Sequence, residues 1–406
     1  MTASPFKFHT LANGLQIIGQ PSNTRRSAAL GFFVKTGARD ETAVEAGVSH
    51  FLEHMLFKGT PRRSALELTY EMGSIGAQSN AFTSEENTVY YGAVLPEFAP
   101  RLLDILADMM RPALRQEDFD TEKQVILEEI ALYQDKPHFY LFEHALGDYF
   151  GNHPAGNSVL GSVDSIRALT RDQMQQYFER RYAPNNMTLV ASGNIDFDEL
   201  ISDAERLTGG WLPQQCGREV RAHTAQSIQK QYLKKNVHQN HVLLMTTSAS
   251  VKDRERYDLA LVALMLGDSV GSRLYWELID TGLADSAGAD TEERVDTGVF
   301  SLYASTTQDK FEEVRDILHR AACEAATYSD EDLERAKTKL ITRLVQSNEL
   351  PMGQLMALGI EWNQRREVET LAETLARVRQ VSRTSIAAAL ERFPLRTWSE
   401  FTLQAG

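Results

Sequence analysis

The chain has 406 residues, 42% of them hydrophobic. That is more than one compact core usually organises, so at least two domains are expected. A formal net charge of −14 argues against a polyanion partner such as nucleic acid and is compatible with basic peptides. No segment approaches 18 consecutive apolar residues, so no helical membrane span is expected.

The N-terminus, MTASPFKFHTLANGL, lacks a basic stretch followed by an apolar core, and it is not Arg-rich. It reads as neither a secretory signal nor a transit peptide. The two cysteines, Cys216 and Cys323, cannot form a disulfide framework and fit a reducing compartment. The expected location is the cytoplasm.

The runs LQIIG (15–19) and AALGFFVKTG (28–37) read as strands, and a helical stretch follows around 44–57. A second helix is expected at SALELTYEMG (64–73), then a β-rich piece at 77–95. Two periodic helices come next, LPEFAPRLLDILADMM and EDFDTEKQVILEEIALYQD. The helix RDQMQQYFERRY (171–182) precedes the strand MTLVASGN (187–194). Helices and strands come in runs, which favours an α+β class over a doubly wound sheet. The stretch 211–227, polar and interrupted by Gly and Pro, reads as a linker between domains at 1–210 and 228–406.

A weak repeat spans the linker. LPEFAPRLLDIL (95–106) resembles QDKFEEVRDIL (308–318), VYYGAV resembles FSLYAS, and a long helix follows in both halves. Two related domains are therefore inferred. At the same interval His50, Glu53 and His54 fall on Val262, Met265 and Leu266, give or take one residue. The second copy keeps the fold pattern and lacks the polar residues, which suggests one domain for chemistry and one for substrate.

In GVSHFLEHMLFKGT (47–60), His50 and His54 are four residues apart and share one helix face. Neutral imidazole nitrogen is a zinc ligand, and Glu53 flanks the same face. A catalytic zinc needs a third protein ligand. The helix DFDTEKQVILEEIALYQD offers Glu129, on a face with Glu122, Val125, Ile126 and Tyr133, whereas Glu128 lies on a more polar face. A carboxylate on an apolar face is costly unless paired. Periodicity alone leaves two readings of Glu129, a ligand or a solvated helix glutamate. Glu122, one heptad earlier, can orient a ligand or the water. Asn80 by itself reads as a turn residue. His238 and His241, three apart at a strand start, do not converge well enough for a second metal pair.

The H-x-x-E-H pattern followed by a V-I-L-E-E-I helix resembles the pitrilysin family of metallopeptidases. The similarity is to bacterial proteins of about 400 residues akin to the mitochondrial processing peptidase β-subunit, and it covers essentially the whole chain. Besides G-x-x-H-F-L-E-H-M-L-F-K-G-T, it rests on SNAFTSEENTVYY (79–91), HPAGNSVLGS (153–162) and GSRLYWEL (271–278). The resemblance implies two homologous domains facing each other across a cavity, each an antiparallel sheet packed with helices. It implies one Zn2+ per chain on His50, His54 and Glu129, with Glu53 as general base and a peptide as substrate. It also implies that Asn80 and Ala81 lie on an edge strand to which the peptide adds. Bacterial relatives suggest a homodimer. The rival reading is a non-catalytic subunit that binds peptides as a scaffold; the intact His50, Glu53, His54 and Glu129 argue against it. One departure stands out. Active relatives often carry an arginine and a tyrosine in a segment like LREKRGLAYS, where this chain has LIDTGLADS (278–286). Ile279 or Asp280 stands near the arginine position and Asp285 at the tyrosine position. Arg273 and Tyr275 are the nearest candidates to replace that pair, against a structural reading in which one caps a helix and the other fills the core.

Overall fold

The computed structural model describes residues 5–224 and 227–406; residues 225 and 226 of the expected linker, and residues 1–4, lie outside them. In the first half come β1 (Lys7–Thr10), β2 (Gln16–Pro21), β3 (Ala28–Val34), α1 (Val48–Leu56), α2 (Ala65–Ser74), β4 (Gln78–Thr83) and β5 (Thr88–Val94). They are followed by α3 (Ala99–Met109), α4 (Gln116–Gln134), α5 (Pro137–Phe150), α6 (Val163–Ala168), α7 (Arg171–Arg181), β6 (Met187–Gly193) and α8 (Phe197–Thr208). The second half holds β7 (Gln229–Lys234), β8 (Asn240–Ser248), α9 (Arg256–Gly267), β9 (Ser286–Glu293), β10 (Gly298–Thr306), α10 (Phe311–Cys323) and α11 (Asp330–Ser347). It closes with α12 (Pro351–Arg365), α13 (Leu371–Gln380), α14 (Arg383–Arg392) and β11 (Ser399–Ala405). The chain is α+β, as the grouping of elements implies.

Two sheets form, and their strand orders match. The first runs β1-β2-β6-β3-β5-β4 and the second β7-β11-β8-β10-β9. In each, one pair is parallel, β2 with β6 and β7 with β11, and every other pair is antiparallel. Among the described residues the second sheet lacks a counterpart of β1. The repeat read from the sequence is thus a repeat of topology. In it α1 and α9 are equivalent, each between a central strand and the hairpin that ends the sheet.

The compact units are not contiguous in sequence. The first comprises residues 1–131, 157–219 and 346–368, and the second 132–156, 220–345 and 369–406. Each sheet therefore receives a helix encoded in the other half of the chain. In the first unit Leu355 and Leu358 of α12 pack on Ile18, Ala29, Phe33, Val89 and Val190. Gly359 permits this approach, because a Cβ there would stand 2.3 Å from the Phe33 ring. Polar side chains on the same surface are satisfied across it: Thr188 donates to Asn363 Oδ1 at 3.0 Å and Ser192 to Gln354 Oε1 at 2.9 Å.

In the second unit Leu141, Ala145 and Tyr149 of α5 pack on Leu243, Met245, Phe401 and Leu403. The alternate residues of β8, Val242 and Leu244, join α9 and α10 in a separate core on the opposite face. A strand buried on both faces in this way reads as a continuous apolar run rather than an alternation. A cut between 210 and 228 would leave α12 on the wrong fragment. Amphipathic periodicity says that a helix covers something but not which sheet it covers.

Candidate metal centre

Helix α1 starts at Gly47, whose φ of +89° places it in the left-handed region. A Cβ there would also meet the Leu160 carbonyl oxygen at 2.6 Å, so glycine is required twice over. The first turn's orphan amides are satisfied from outside the helix: Glu41 accepts from Gly47 N–H and Ser49 N–H, each at 2.7 Å. Phe51 of α1 stacks on Phe119 of α4 with ring centroids 4.7 Å apart, and both side chains are fully buried. This contact sets the two helices side by side. It brings the α4 face bearing Glu122, Ile126 and Glu129 opposite His50 and His54. Glu122 and Ile126 are buried and Glu128 is exposed, but Val125 is 42% exposed, so the inward face is narrower than the sequence pattern suggested.

His50, His54 and Glu129 offer ligand atoms that all lie within 4.8 Å of one another. Glu129 Oε2 is 3.8 Å from His50 Nε2 and 3.6 Å from His54 Nε2. Both distances exceed a normal hydrogen bond. They approach the roughly 3.3–3.5 Å that separates two ligands of one tetrahedral ion with bonds of about 2.0–2.2 Å. The donor set, two imidazoles and a carboxylate, therefore fits zinc both in kind and in spacing.

The surroundings reinforce this. Burial, with the neighbouring His54, pushes the His50 imidazole down to about 4, so it is neutral as a ligand must be. His54 behaves differently. Burial pulls it down, but the hydrogen bond to Glu122 and the charges of Glu129, Glu122 and Glu53 outweigh that and raise it. Raised basicity here means affinity for any cation. His54 Nδ1 lies 2.8 Å from Glu122 Oε1, which fixes the ring so that Nε2 faces Glu129. Lys58 Nζ holds the other Glu122 oxygen at 2.5 Å. Burial would raise the Glu122 carboxyl, yet its bonds to His54 and Lys58 leave it below the usual range. His50 has no such support, since its buried Nδ1 lacks a hydrogen-bond partner among the described residues.

Glu53 stands outside the ligand cluster, and its Oε2 accepts the Thr83 hydroxyl at 2.6 Å. Burial raises its carboxyl, opposed by the Thr83 bond and His54. Thr83 ends β4, the edge strand, so the strand's last residue touches the motif helix. Asn80 and Ala81 lie on that strand, paired with Tyr91 and Tyr90 of β5 and with no strand on their other side. Asn80 is thus a strand residue and not a turn residue. Thr83 and Lys58 carried no sequence signal of their own. A threonine in a strand reads only as β-propensity, and a lysine after a helix only as solvation.

Arg273 and Tyr275 belong to the second unit. The Arg273 guanidinium donates to the Glu324 carbonyl at 3.0 Å and to the Thr327 carbonyl. These groups follow the C-terminus of α10, the kind of acceptor a capping arginine takes. Tyr275 is half-buried beside Trp276, ring centroids 4.9 Å apart. Asp285 accepts from Gln239 at 2.7 Å.

Comparison with known proteins gives consistent matches. Residues 17–163 match a family model described as insulinase (peptidase family M16), and residues 168–340 one described as the peptidase M16 inactive domain. A Mycobacterium tuberculosis protein named "uncharacterized zinc protease" is 33% identical over 387 residues, spanning 92% of this chain and 87% of its own. A Bacillus subtilis protein named "uncharacterized zinc protease YmxG" is 32% identical over 349 residues, 84% of each chain. Among solved structures, a protease from Helicobacter pylori superposes with a TM-score of 0.90 over 98% of this chain and 99% of its own. At 20% identity that match speaks to the fold alone.

Proposed function

This chain belongs to the insulinase (M16) family of peptidases, and we propose from that premise that it is a zinc-dependent endopeptidase acting on peptides or unfolded segments. The observation that carries the reading is the approach of His50 Nε2 and His54 Nε2 to one Glu129 oxygen, at 3.8 and 3.6 Å, with Glu53 beside them and outside the cluster. Relatives named zinc proteases support the choice of metal.

In this reading His50, His54 and Glu129 hold one Zn2+ per chain, and Glu122 orients His54. A bound zinc would polarise a peptide carbonyl and make a water acidic enough to ionise near neutrality. Glu53 is the general base. Its Oε2 is engaged by Thr83, which leaves Oε1 to take the proton from the attacking water and return it to the leaving amine. A carboxyl raised by burial holds a proton more readily at neutral pH than an exposed one, which suits that exchange. The peptide adds to β4 through the free main-chain groups around Asn80 and Ala81. Arg273 and Tyr275 remain candidates for substrate contacts from the second unit, although the Arg273 guanidinium already serves two backbone carbonyls. No helix among the described residues is long and apolar enough to cross a membrane. A homodimer in the cytoplasm is part of the proposal.

The test is Glu53→Gln. It should keep zinc at one per chain and lower peptide cleavage by roughly 10²-fold or more, the scale of a general base. Glu129→Gln should lose zinc along with activity. Equal loss of zinc in both variants would show that Glu53 is a ligand and not the base.

A further inference from the structure

The second unit keeps an open space at the place where the first unit has its metal residues. In the first unit that place lies between α1 and α4. Helix α9 is the counterpart of α1, and α11 follows α10 as α4 follows α3. Between α9 and α11 lies a cavity of about 280 Å³. Met265 and Leu266 of α9 form its apolar side, and these match Glu53 and His54 in the repeat, give or take one residue. Asp332 and Arg335 of α11 line it from the other side. The second copy lacks the polar residues yet does not close the space by packing. The volume is close to the roughly 300 Å³ at which small-molecule sites begin.

Two aromatic rings line the same cavity, Trp276 and Tyr328. Trp276 is 55% exposed, which is unusual for the largest apolar side chain unless it has something to contact. The turn that carries it, Tyr275–Ile279, is π-helical: the Asp280 N–H donates to the Tyr275 carbonyl at 2.8 Å. Such turns are rare and recur at functional sites. The Arg273 guanidinium, bonded to the Glu324 and Thr327 carbonyls, fixes the backbone that brings Ala325 and Tyr328 to the cavity wall. The polar groups are unevenly used. Asp332 Oδ2 accepts from the Ser329 N–H and hydroxyl at 2.9 and 2.7 Å, and its Oδ1 pairs with Arg335. Glu277, also on the lining, accepts from Arg320 at 2.7 Å. Arg335 has capacity left. Its Nη2 serves Asp332 and the Gly271 carbonyl, while Nε and Nη1 make no hydrogen bond among the described residues.

The geometry points to a binding site in this cavity for an aromatic carboxylate, with its ring among Trp276, Tyr328, Met265 and Leu266 and its carboxylate on Arg335. An ammonium group would find both acids of the lining already engaged by cations. A neutral aromatic group would leave the spare Arg335 donors unused. The source is either a free aromatic acid or the C-terminus of a peptide that ends in an aromatic residue. The site is independent of the peptidase reading, since none of its residues belongs to the metal cluster.

The experiment is calorimetric titration of the zinc-loaded full chain with N-acetylphenylalanine, and separately with the tripeptide Gly-Gly-Phe. N-acetylphenylalaninamide and N-acetylglycine are the probes that lack the charge and the ring. One N-acetylphenylalanine should bind per chain, about tenfold or more tightly than either of these. Arg335→Gln should weaken the acid to the level of the amide and leave the amide unchanged, whereas Trp276→Ala should weaken both. Both side chains reach water, so the melting temperature should hold in each variant. Tighter binding of the tripeptide, or of the acetylated amino acid, assigns the source and supports the site in either case. No saturable binding overturns the proposal. So does wild-type affinity in both variants, the result expected if the carboxylate merely sits on the zinc.

Discussion

Helices α1 and α9 occupy the same place in two sheets of the same topology, yet one carries two histidines and a glutamate where the other carries apolar residues. Positions matched in the sequence repeat to His50, Glu53 and His54, give or take one residue, hold Val262, Met265 and Leu266, and in α9 Val262 and Leu266 are buried in the core. The fold therefore does not need polar residues there. In the first unit the same place holds two imidazoles facing Glu53, Glu122 and Glu129, all at least half-withdrawn from water. Groups of that kind cost stability unless a partner compensates them. Their retention in one copy only is what a site would require and what a structural role would not.

The most severe way to break the comparison is to give α1 the residue of α9. His54→Leu should reduce zinc from one per chain to none and abolish peptide cleavage. The metal-free variant should melt no lower than metal-free wild type, because α9 shows that leucine packs in this position. Elemental analysis and a melting curve decide it. Zinc retained at full occupancy would mean that the ligand set has been misassigned.

Much of that cluster of side chains was legible in the sequence, and the reasons are specific. His50 and His54 are four residues apart, so helix geometry alone puts them on one face. Glu129 was separable from Glu128 by its face, although Val125, counted with the buried side, is in fact 42% exposed. Thr83 was not legible, because its meaning lies in a contact to Glu53 thirty positions away, on a strand the sequence marks only as β. Nor was the exchange of helices. The stretches 137–150 and 351–365 are amphipathic, but nothing local tells α12 to cover the first sheet and α5 the second.

That exchange makes the next prediction. Leu355 is completely buried against the first unit's sheet, as Leu141 is against the second's. Leu355→Ala should cost about 2–5 kcal/mol, as for other buried leucines. The loss should fall on the unit that carries the proposed zinc ligands, so zinc release on urea titration should shift to lower denaturant. Leu141→Ala should cost a similar amount while leaving zinc release less affected. Identical zinc-release curves for the two variants would show that the units unfold as one.

A smaller effect tests why the two histidines of the proposed ligand set are not equivalent. His54 is braced by Glu122 and through it by Lys58, whereas His50 Nδ1 has no hydrogen-bond partner among the described residues. Glu122→Gln should weaken zinc binding by about 10–100-fold, the usual cost of removing such an orienting group. Lys58→Met should act in the same direction and less, because it touches the metal only through Glu122. A competitive chelator titration measures both. An unchanged affinity in Glu122→Gln would reduce its bond to His54 to a packing detail.

The mildest test sets His50 beside His241, a buried histidine of the second unit. Both are pushed down to about 4, chiefly by burial and secondly by a neighbouring histidine. What separates them is company. His241 Nδ1 meets the Tyr303 hydroxyl at 2.8 Å, and among the described residues no carboxylate joins it in a metal-binding group. Its contribution should therefore appear as pH dependence of stability alone. A histidine whose folded pKa is depressed favours the neutral form. Its stabilisation is complete above the unfolded value near 6.5 and is lost as pH falls toward 4. His241→Gln should flatten that part of the stability curve, narrowing the loss between pH 7 and pH 5 by roughly 1–2 kcal/mol. Zinc content should be unchanged. Urea unfolding across the pH series, for wild type and variant together, isolates the difference from the other histidines. Parallel curves would mean that His241 titrates normally and that burial in the second unit is looser than the packing around Tyr303 indicates.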